Sequence, residues 1–228
     1  MSGELSIIEK IKDVVLSVDP ETVLRDARAV GIDAHSASDF VNNAHNYAYI
    51  EKLSSKYAGN AAKLCAASGV TSGIGGLATT LTLAGADIAN MAAQLYRLNQ
   101  KLALLNGFDP ENELHSQRAQ TIFMTALGID AAAQGSIRAI VTGAAKENLA
   151  KRGPASQPAV RLIMEVAKVL GLRITKVQAG KLVPVVGGLV GGGVNYLFAK
   201  AIAKKMLADY KSDYFDRWQM HAKDTRPD

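Results

Sequence analysis

The chain has 228 residues and a formal net charge of +5, and 48% of its residues are hydrophobic although only 6% are aromatic. That apolar content excludes a disordered chain, and the length allows a core that folds without cross-links. A single cysteine excludes a disulfide scaffold and a zinc site built from cysteines. The apolar residues are mostly small, and 20 residues are glycine.

Helix start signals and stop signals follow one another along the first part of the chain. Residues 1–18 alternate charged and aliphatic side chains at helical spacing, which predicts an amphipathic helix rather than a secretory signal. Asp19 is placed to cap a short second helix, which Gly31 ends. Ser36 or Ser38 can cap the next helix, which we expect to reach about Tyr57.

The remainder of the chain also reads as helices. A long helix is predicted from Asp87 to Asn106, with Gly107 just past its end. Asp109 marks another start before a proline, and two helices are expected between it and about residue 151. Three more are predicted, over residues 158–170, 173–181 and 185–220. No segment shows the alternation and β-branched enrichment of a strand, so we predict an all-α fold, a multi-helix bundle.

Two glycine-rich apolar segments of this bundle carry no charged residue. They are Leu64–Ala86 and Leu182–Ala199. Both reach the roughly 17–25 residues that a membrane-spanning helix needs. Their glycines and polar residues argue against stable insertion, so we expect a buried or reversibly membrane-inserting helical hairpin rather than a pair of spanning helices.

Small residues in these segments recur every four positions. On a helix, that spacing places them on one face, where the backbone of another helix can approach closely. We predict helix packing through these glycines, either between membrane helices or inside a soluble domain. They are Gly69, Gly73, Gly76, Gly187 and Gly191.

The positive charge is concentrated in one block of the chain. Residues 146–205 hold eleven basic and two acidic residues, whereas the segments on either side are net negative. Such a block is attracted to the anionic cytoplasmic leaflet, by about 1 kcal/mol per basic residue near the surface. The predicted contacts with membrane or anionic lipid are Arg173, Lys176, Lys200, Lys204 and Lys205.

Three further features fit either a core or a functional site. Asp87, at the edge of the first uncharged segment, is a candidate buried carboxylate, with a structural ion pair as the favoured interpretation. Cys65, flanked by alanine, is expected in the core. Tyr210, Tyr214 and Trp218 repeat every four residues, which predicts core packing or a dimer contact or, beside the basic block, an interfacial anchor.

No motif predicts catalysis or metal binding. Residues 73–78 match a G-x-G-x-x-A pattern, but they lack the preceding strand and the acid about 20 residues later that a dinucleotide site requires. The four histidines have no short ligand spacing. We therefore predict no enzyme, no cofactor and no metal.

Residues 181–205 resemble the C-terminal signature of the EcsC family. In that family a Pro-x-x-Gly turn leads into a glycine-rich segment, an Asn or Asp, and a basic helix. Pro184 and Gly187 match the turn, and Asn195 precedes the basic helix. The earlier glycine-rich run, followed by Asp87, is similar too, although the proline that the family usually has beside this acid is missing.

The resemblance covers about residues 56–205. It implies a bacterial helical protein, of a family named from an operon for an ABC transporter and linked to membrane processes, with no established catalytic activity. The corresponding division of the chain is an N-terminal helical segment at 1–56, an EcsC-like helical domain at 57–205, and a C-terminal helix and tail at 206–228.

The predicted function is that of a non-enzymatic helical protein in the cytoplasm, peripheral to the inner face of the cell membrane, in support of transport or membrane processes. The alternative is a soluble module that holds a lipid or acyl chain between helices lined by small residues. Expected partners are a membrane surface or lipid and membrane proteins. Nucleic acid is not expected, since aromatic residues are few and no recognition motif occurs. A homo-oligomer is left open.

Overall fold

Every regular element in the described part of the chain is a helix. The computed structural model describes residues 2–41, 47–71, 77–147, 157–179 and 188–224. No strand occurs within these ranges, so the predicted all-α multi-helix bundle is confirmed. The helices are α1 (Ser2–Val15), α2 (Pro20–Ala29), α3 (Ala37–Val41), α4 (Tyr47–Thr71), α5 (Leu77–Leu105), α6 (Glu113–Ala126), α7 (Ala131–Glu147), α8 (Pro158–Ala179) and α9 (Gly188–Asp224).

Helix α5 is at the centre of the bundle. It packs against α1, α2, α3, α4, α6, α8 and α9. Met91, Leu95 and Leu102 are among its fully buried side chains, and Asn99 on the same helix is only 2% exposed. A helix with apolar residues on all sides is typical of an enclosed position, so α5 organises the core.

Helices α4 and α9 form the most extensive helix pair of the described residues, and they run antiparallel. At the start of α4, the Tyr47 ring centroid lies 4.7 Å from that of Tyr214. One turn later, Glu51 Oε1 lies 2.9 Å from Nζ of Lys211. Because the partner in α9 moves back as α4 advances, the end of α4 and the beginning of α9 lie at the same end of the bundle.

This end of the bundle brings the two uncharged segments together. Only residues 72–76 separate α4 from α5, and five residues span at most about 18 Å. The beginning of α5 is therefore near the end of α4, as the beginning of α9 is. Residues 182–187 of the second segment lie outside the described residues. Membrane insertion of these segments stays a prediction.

Three helices are longer than predicted. α4 continues past Tyr57, and α5 begins before Asp87. α8 runs without interruption through Gly171, where two helices were expected. Small residues hide the apolar periodicity in these segments, but they do not stop a helix that a neighbouring helix supports along its length.

Of the two predicted Asp-Pro helix starts, one is confirmed and one is wrong. Asp19 caps α2, and Gly31 beyond its end has a φ of +94°. Asp109 lies in a turn that precedes α6. The cap of α6 is Asn112, whose Oδ1 accepts a hydrogen bond from the backbone N–H of Leu114 at 3.0 Å.

The division of the chain at residues 56 and 205 stays a prediction. α4 is continuous across the first of these boundaries and α9 across the second. Because buried residues of both helices belong to one hydrophobic cluster, the segments on either side of each boundary share a core.

Candidate functional site

The outer surface of the α4–α9 pair is strongly basic. We call the exposed residues of 47–67 and 193–211 the α4–α9 face. These segments contain seven lysines, all exposed, and two acids, so their net charge is +5. The lysines are Lys52, Lys56 and Lys63 on α4 and Lys200, Lys204, Lys205 and Lys211 on α9. Both helices turn their opposite sides towards α5, which places the lysines on one side of the bundle.

Five of these seven lysines have no acidic partner among the described residues. Lys211 pairs with Glu51 across the two helices, and Lys205 Nζ lies 2.8 Å from Oδ2 of Asp209 on its own helix. Exposed pairs of this kind contribute only about 0–1 kcal/mol. The α4–α9 face therefore keeps a surplus of positive charge after its local pairs are formed.

The structure divides the predicted basic block into two parts. Lys200, Lys204 and Lys205 lie on the α4–α9 face, exposed as a surface contact requires. By contrast, Lys168 Nζ lies 2.9 Å from Oε1 of Glu165, a buried carboxylate that also pairs with an arginine one turn before it on α8. That part of the block stabilises a helix. Two other predicted contacts are in α8, where the structure does not describe their side chains: Arg173 and Lys176.

The lysines of α4 were missed by the sequence analysis. Lys52, Lys56 and Lys63 lie in a segment that is net negative as a whole, which hid them. Their spacing was the available signal, because residues separated by four and by seven share one face of a helix. Lys200, Lys204 and Lys211 repeat the same spacing on α9.

Apolar side chains are exposed on α9 close to these lysines. Leu197, one turn before Lys200, is 66% exposed, and Val194, about two turns before it, is 55% exposed. Nζ of Lys200 lies 5.8 Å from the ring centroid of Tyr196. This end of the α4–α9 face thus combines exposed aliphatic residues with an ammonium group that has no acidic partner in the described part of the chain.

The tyrosine stripe of α9 belongs to the core. Tyr210 Oη donates to Oδ1 of Asn99 at 2.8 Å, and Tyr214 Oη donates to the backbone O of Phe40 at 2.7 Å. Both rings are 1% exposed, so the interfacial-anchor interpretation is wrong for these two residues. The side chain of Trp218 lies outside the described residues.

Cys65 is buried, as predicted. Its side chain is fully enclosed, and burial raises the pKa of the thiol to about 12. A thiol that stays protonated is a poor nucleophile and a poor metal ligand. Cys65 is therefore a core residue.

Most of the predicted packing glycines lie outside the residues that the structure describes. Gly69 lies in α4 and Gly191 in α9, whereas Gly73, Gly76 and Gly187 lie outside the described residues. Their packing role stays a prediction. Asp87 lies on α5 with a partly exposed side chain, and its role as a buried carboxylate also stays a prediction.

The described residues show neither a cluster of metal ligands nor a helix that could span a membrane. Over the described ranges, no three His, Cys, Asp or Glu side chains are grouped closely enough to hold a metal ion. Within the same ranges, no helix combines the length and the apolar content needed to cross a bilayer.

Comparison with known proteins gives one family. The chain has no significant match to a curated protein or to a solved structure. The model of the EcsC protein family matches residues 28–211, which include α3 to α8 and most of α9. Since that match covers well over half of the chain, the protein belongs to the EcsC protein family.

Proposed function

We propose that this protein is a non-enzymatic, peripheral membrane protein that binds anionic membranes through the α4–α9 face. The observation that carries this proposal is the set of seven exposed lysines, opposed by only two acids, on one side of a helix pair. Each basic residue near an anionic leaflet contributes about 1 kcal/mol, so the five lysines without acidic partners supply on the order of 5 kcal/mol. Because the leaflet that faces the cytoplasm carries the anionic lipids, we propose attachment to the cytoplasmic side of the membrane.

The spacing of the lysines favours an orientation in which the helix pair lies along the membrane. Lys52 and Lys63 are separated by about 16 Å along α4, from a rise of about 1.5 Å per residue. Attraction to a surface fades over a Debye length of about 8 Å in physiological salt. If the pair stood upright, the lysines at its far end would lie beyond that range, so the full charge acts only when both helices lie flat.

The exposed aliphatic residues of α9 suit the same orientation. Val194 and Leu197 can enter the boundary between headgroups and acyl chains, while Lys200 reaches back to the phosphates through its long side chain. Apolar burial and charge attraction then act together at this end of the face. We further propose that attachment serves transport or other membrane processes, with membrane proteins as partners.

The alternative function, a module that encloses a lipid or acyl chain, is less well supported. Among the described residues, one cavity measures about 240 Å³ and another measures about 260 Å³. Ligand pockets for molecules of drug size measure about 300–1,000 Å³. A surface contact therefore agrees better with the described geometry than an enclosed chain.

Vesicle sedimentation tests the proposed function. We expect the protein to bind vesicles of phosphatidylcholine mixed with phosphatidylglycerol and to remain free with phosphatidylcholine alone. Lys56→Gln/Lys63→Gln removes two charges from the face and should weaken binding by about 2 kcal/mol, or roughly 30-fold. Raising the ionic strength to about 1 M, where the Debye length is about 3 Å, should release the wild type.

The matched control removes two exposed charges elsewhere. Lys10→Gln/Arg25→Gln lowers the net charge by the same amount but changes α1 and α2. We expect it to bind within about threefold of the wild type, since its charges lie outside the face. Equal losses from the two double variants, or equal binding of neutral vesicles by the wild type, would contradict a role for the α4–α9 face.

A further inference from the structure

The cavity of about 260 Å³ opens within the α4–α9 face, in the groove between the two helices. Tyr47, Glu51 and Ser54 of α4 line one wall, and Lys204 and Lys211 of α9 line the other. The space has room for several water molecules. It suits a small polar group.

One polar group in the wall of this cavity is buried without a partner. Ser54 is 3% exposed, and its Oγ makes no hydrogen bond within the described residues. The groups around it are already engaged: Tyr47 Oη donates to Asn106 Oδ1 at 3.3 Å, and Asn106 Nδ2 donates to Leu102 O at 2.8 Å. An unpaired buried hydroxyl destabilises a fold, and a ligand that accepts its hydrogen bond removes this cost.

The charge of the cavity wall suits an anion with one negative charge. Lys211 is neutralised by Glu51 at 2.9 Å and lies over the Tyr47 ring, with Nζ 5.6 Å from the centroid. Lys204 is exposed and has no acidic partner among the described residues. The wall therefore carries one net positive charge. A phosphodiester carries one negative charge and presents several acceptor oxygens to ammonium and hydroxyl donors.

We propose that this cavity binds the phosphodiester of an anionic lipid headgroup, with Lys204 Nζ on one phosphate oxygen and Ser54 Oγ donating to another. This rests on the membrane attachment proposed above and adds a defined headgroup site to a general attraction. Lys200 lies one turn from Lys204 on the same exposed side of α9 but does not line the cavity. Variants of these two lysines therefore distinguish binding in the cavity from general attraction to the charged surface.

Isothermal titration of the full-length protein with glycerophosphoglycerol, the soluble headgroup of phosphatidylglycerol, tests this site. We expect saturable binding that Lys204→Gln and Ser54→Ala each weaken about tenfold, as the loss of one charge-assisted hydrogen bond predicts. The matched variant Lys200→Gln should change the dissociation constant by less than roughly twofold. Ser54→Ala removes an unpaired hydroxyl, so its resistance to urea should not fall, and lost binding then cannot be ascribed to misfolding.

Inorganic phosphate and vesicles supply the other arms of this test. Equal effects of Lys200→Gln and Lys204→Gln would overturn the cavity site, while salt-sensitive vesicle binding would leave the attachment in place. Inorganic phosphate that binds as tightly as glycerophosphoglycerol would overturn the headgroup assignment in favour of free phosphate. Binding of glycerophosphoglycerol that depends on Lys204, without binding to anionic vesicles, would overturn membrane attachment and leave a site for a soluble phosphodiester.

Discussion

Single side chains decide how α9 is fixed to the centre of the bundle. Tyr210 is fully enclosed, and its hydroxyl is the donor to Oδ1 of Asn99 on α5. Asn99 is 2% exposed, so water cannot replace this donor. The α4–α9 face depends on this contact because the same helix carries four of its lysines on the opposite side.

Tyr210→Phe should lower the free energy of unfolding by about 1–3 kcal/mol, since it leaves a buried amide oxygen without a donor. Tyr49→Phe is the control, because Tyr49 is 49% exposed. This variant should lower the free energy of unfolding by less than about 0.5 kcal/mol. Urea unfolding followed by circular dichroism measures both. A loss as small for Tyr210→Phe as for the control would show that the hydroxyl does not fix α9.

At the scale of helices, the turn after α5 shows how a single glycine positions neighbouring elements. Gly107 has a φ of +81°, in the left-handed region. An added Cβ would overlap Cγ2 of Val41 at the end of α3 and would lie 3.4 Å from the backbone O of Ala37. Both the conformation and the approach of α3 therefore require glycine.

Gly107→Ala should destabilise the protein by about 2–4 kcal/mol, from backbone strain and from displacement of α3. Gly31→Ala is the matched control, because Gly31 has a φ of +94° but no atom within 4 Å of an added Cβ. It should show the backbone strain alone, about 1–2 kcal/mol. Thermal unfolding of both variants gives the comparison. Equal losses would show that close approach of α3 adds nothing.

Local signals predicted much of this helical layout. The cap at Asp19 and the stop glycines at 31 and 107 depend on neighbouring residues, and all three were found. The end of α4 and the start of α5 were missed, because alanine and glycine carry little periodicity and the helices are supported by packing. The pairing of α4 with α9 joins residues far apart in the chain, so no local pattern contained it.

The candidate site, too, could be predicted only in part, because it depends on contacts between distant parts of the chain. Lys200, Lys204 and Lys205 were predicted from a block of charge along the chain. The lysines of α4 join them only because antiparallel packing places two separate segments on one surface. The cavity beside Lys204 could not be predicted from the sequence either, because only folding buries Ser54 in its wall, where its Oγ has no hydrogen-bond partner among the described residues.

The buried tyrosines give the whole bundle a predictable response to alkali. Burial raises the pKa of Tyr96 to about 12 and raises the pKa of four other tyrosines above the ordinary value of 10. They are Tyr47, Tyr57, Tyr210 and Tyr214. In the unfolded chain these phenols lose their protons near pH 10, whereas in the folded chain they keep them.

Above pH 10 the folded state therefore binds more protons than the unfolded state, so stability falls as the pH rises. For each tyrosine that stays protonated in the folded state, the free energy of unfolding falls by up to about 1.4 kcal/mol with each pH unit above 10. We expect full stability from these groups below pH 10 and cooperative unfolding in alkali. Tyrosinate absorbance and helical circular dichroism are recorded together from pH 8 to 12, and the part of the absorbance that comes from these five buried tyrosines should change in the same transition as the helical signal. Ionisation of all the tyrosines near pH 10 with the helices intact would show that the rings are not enclosed.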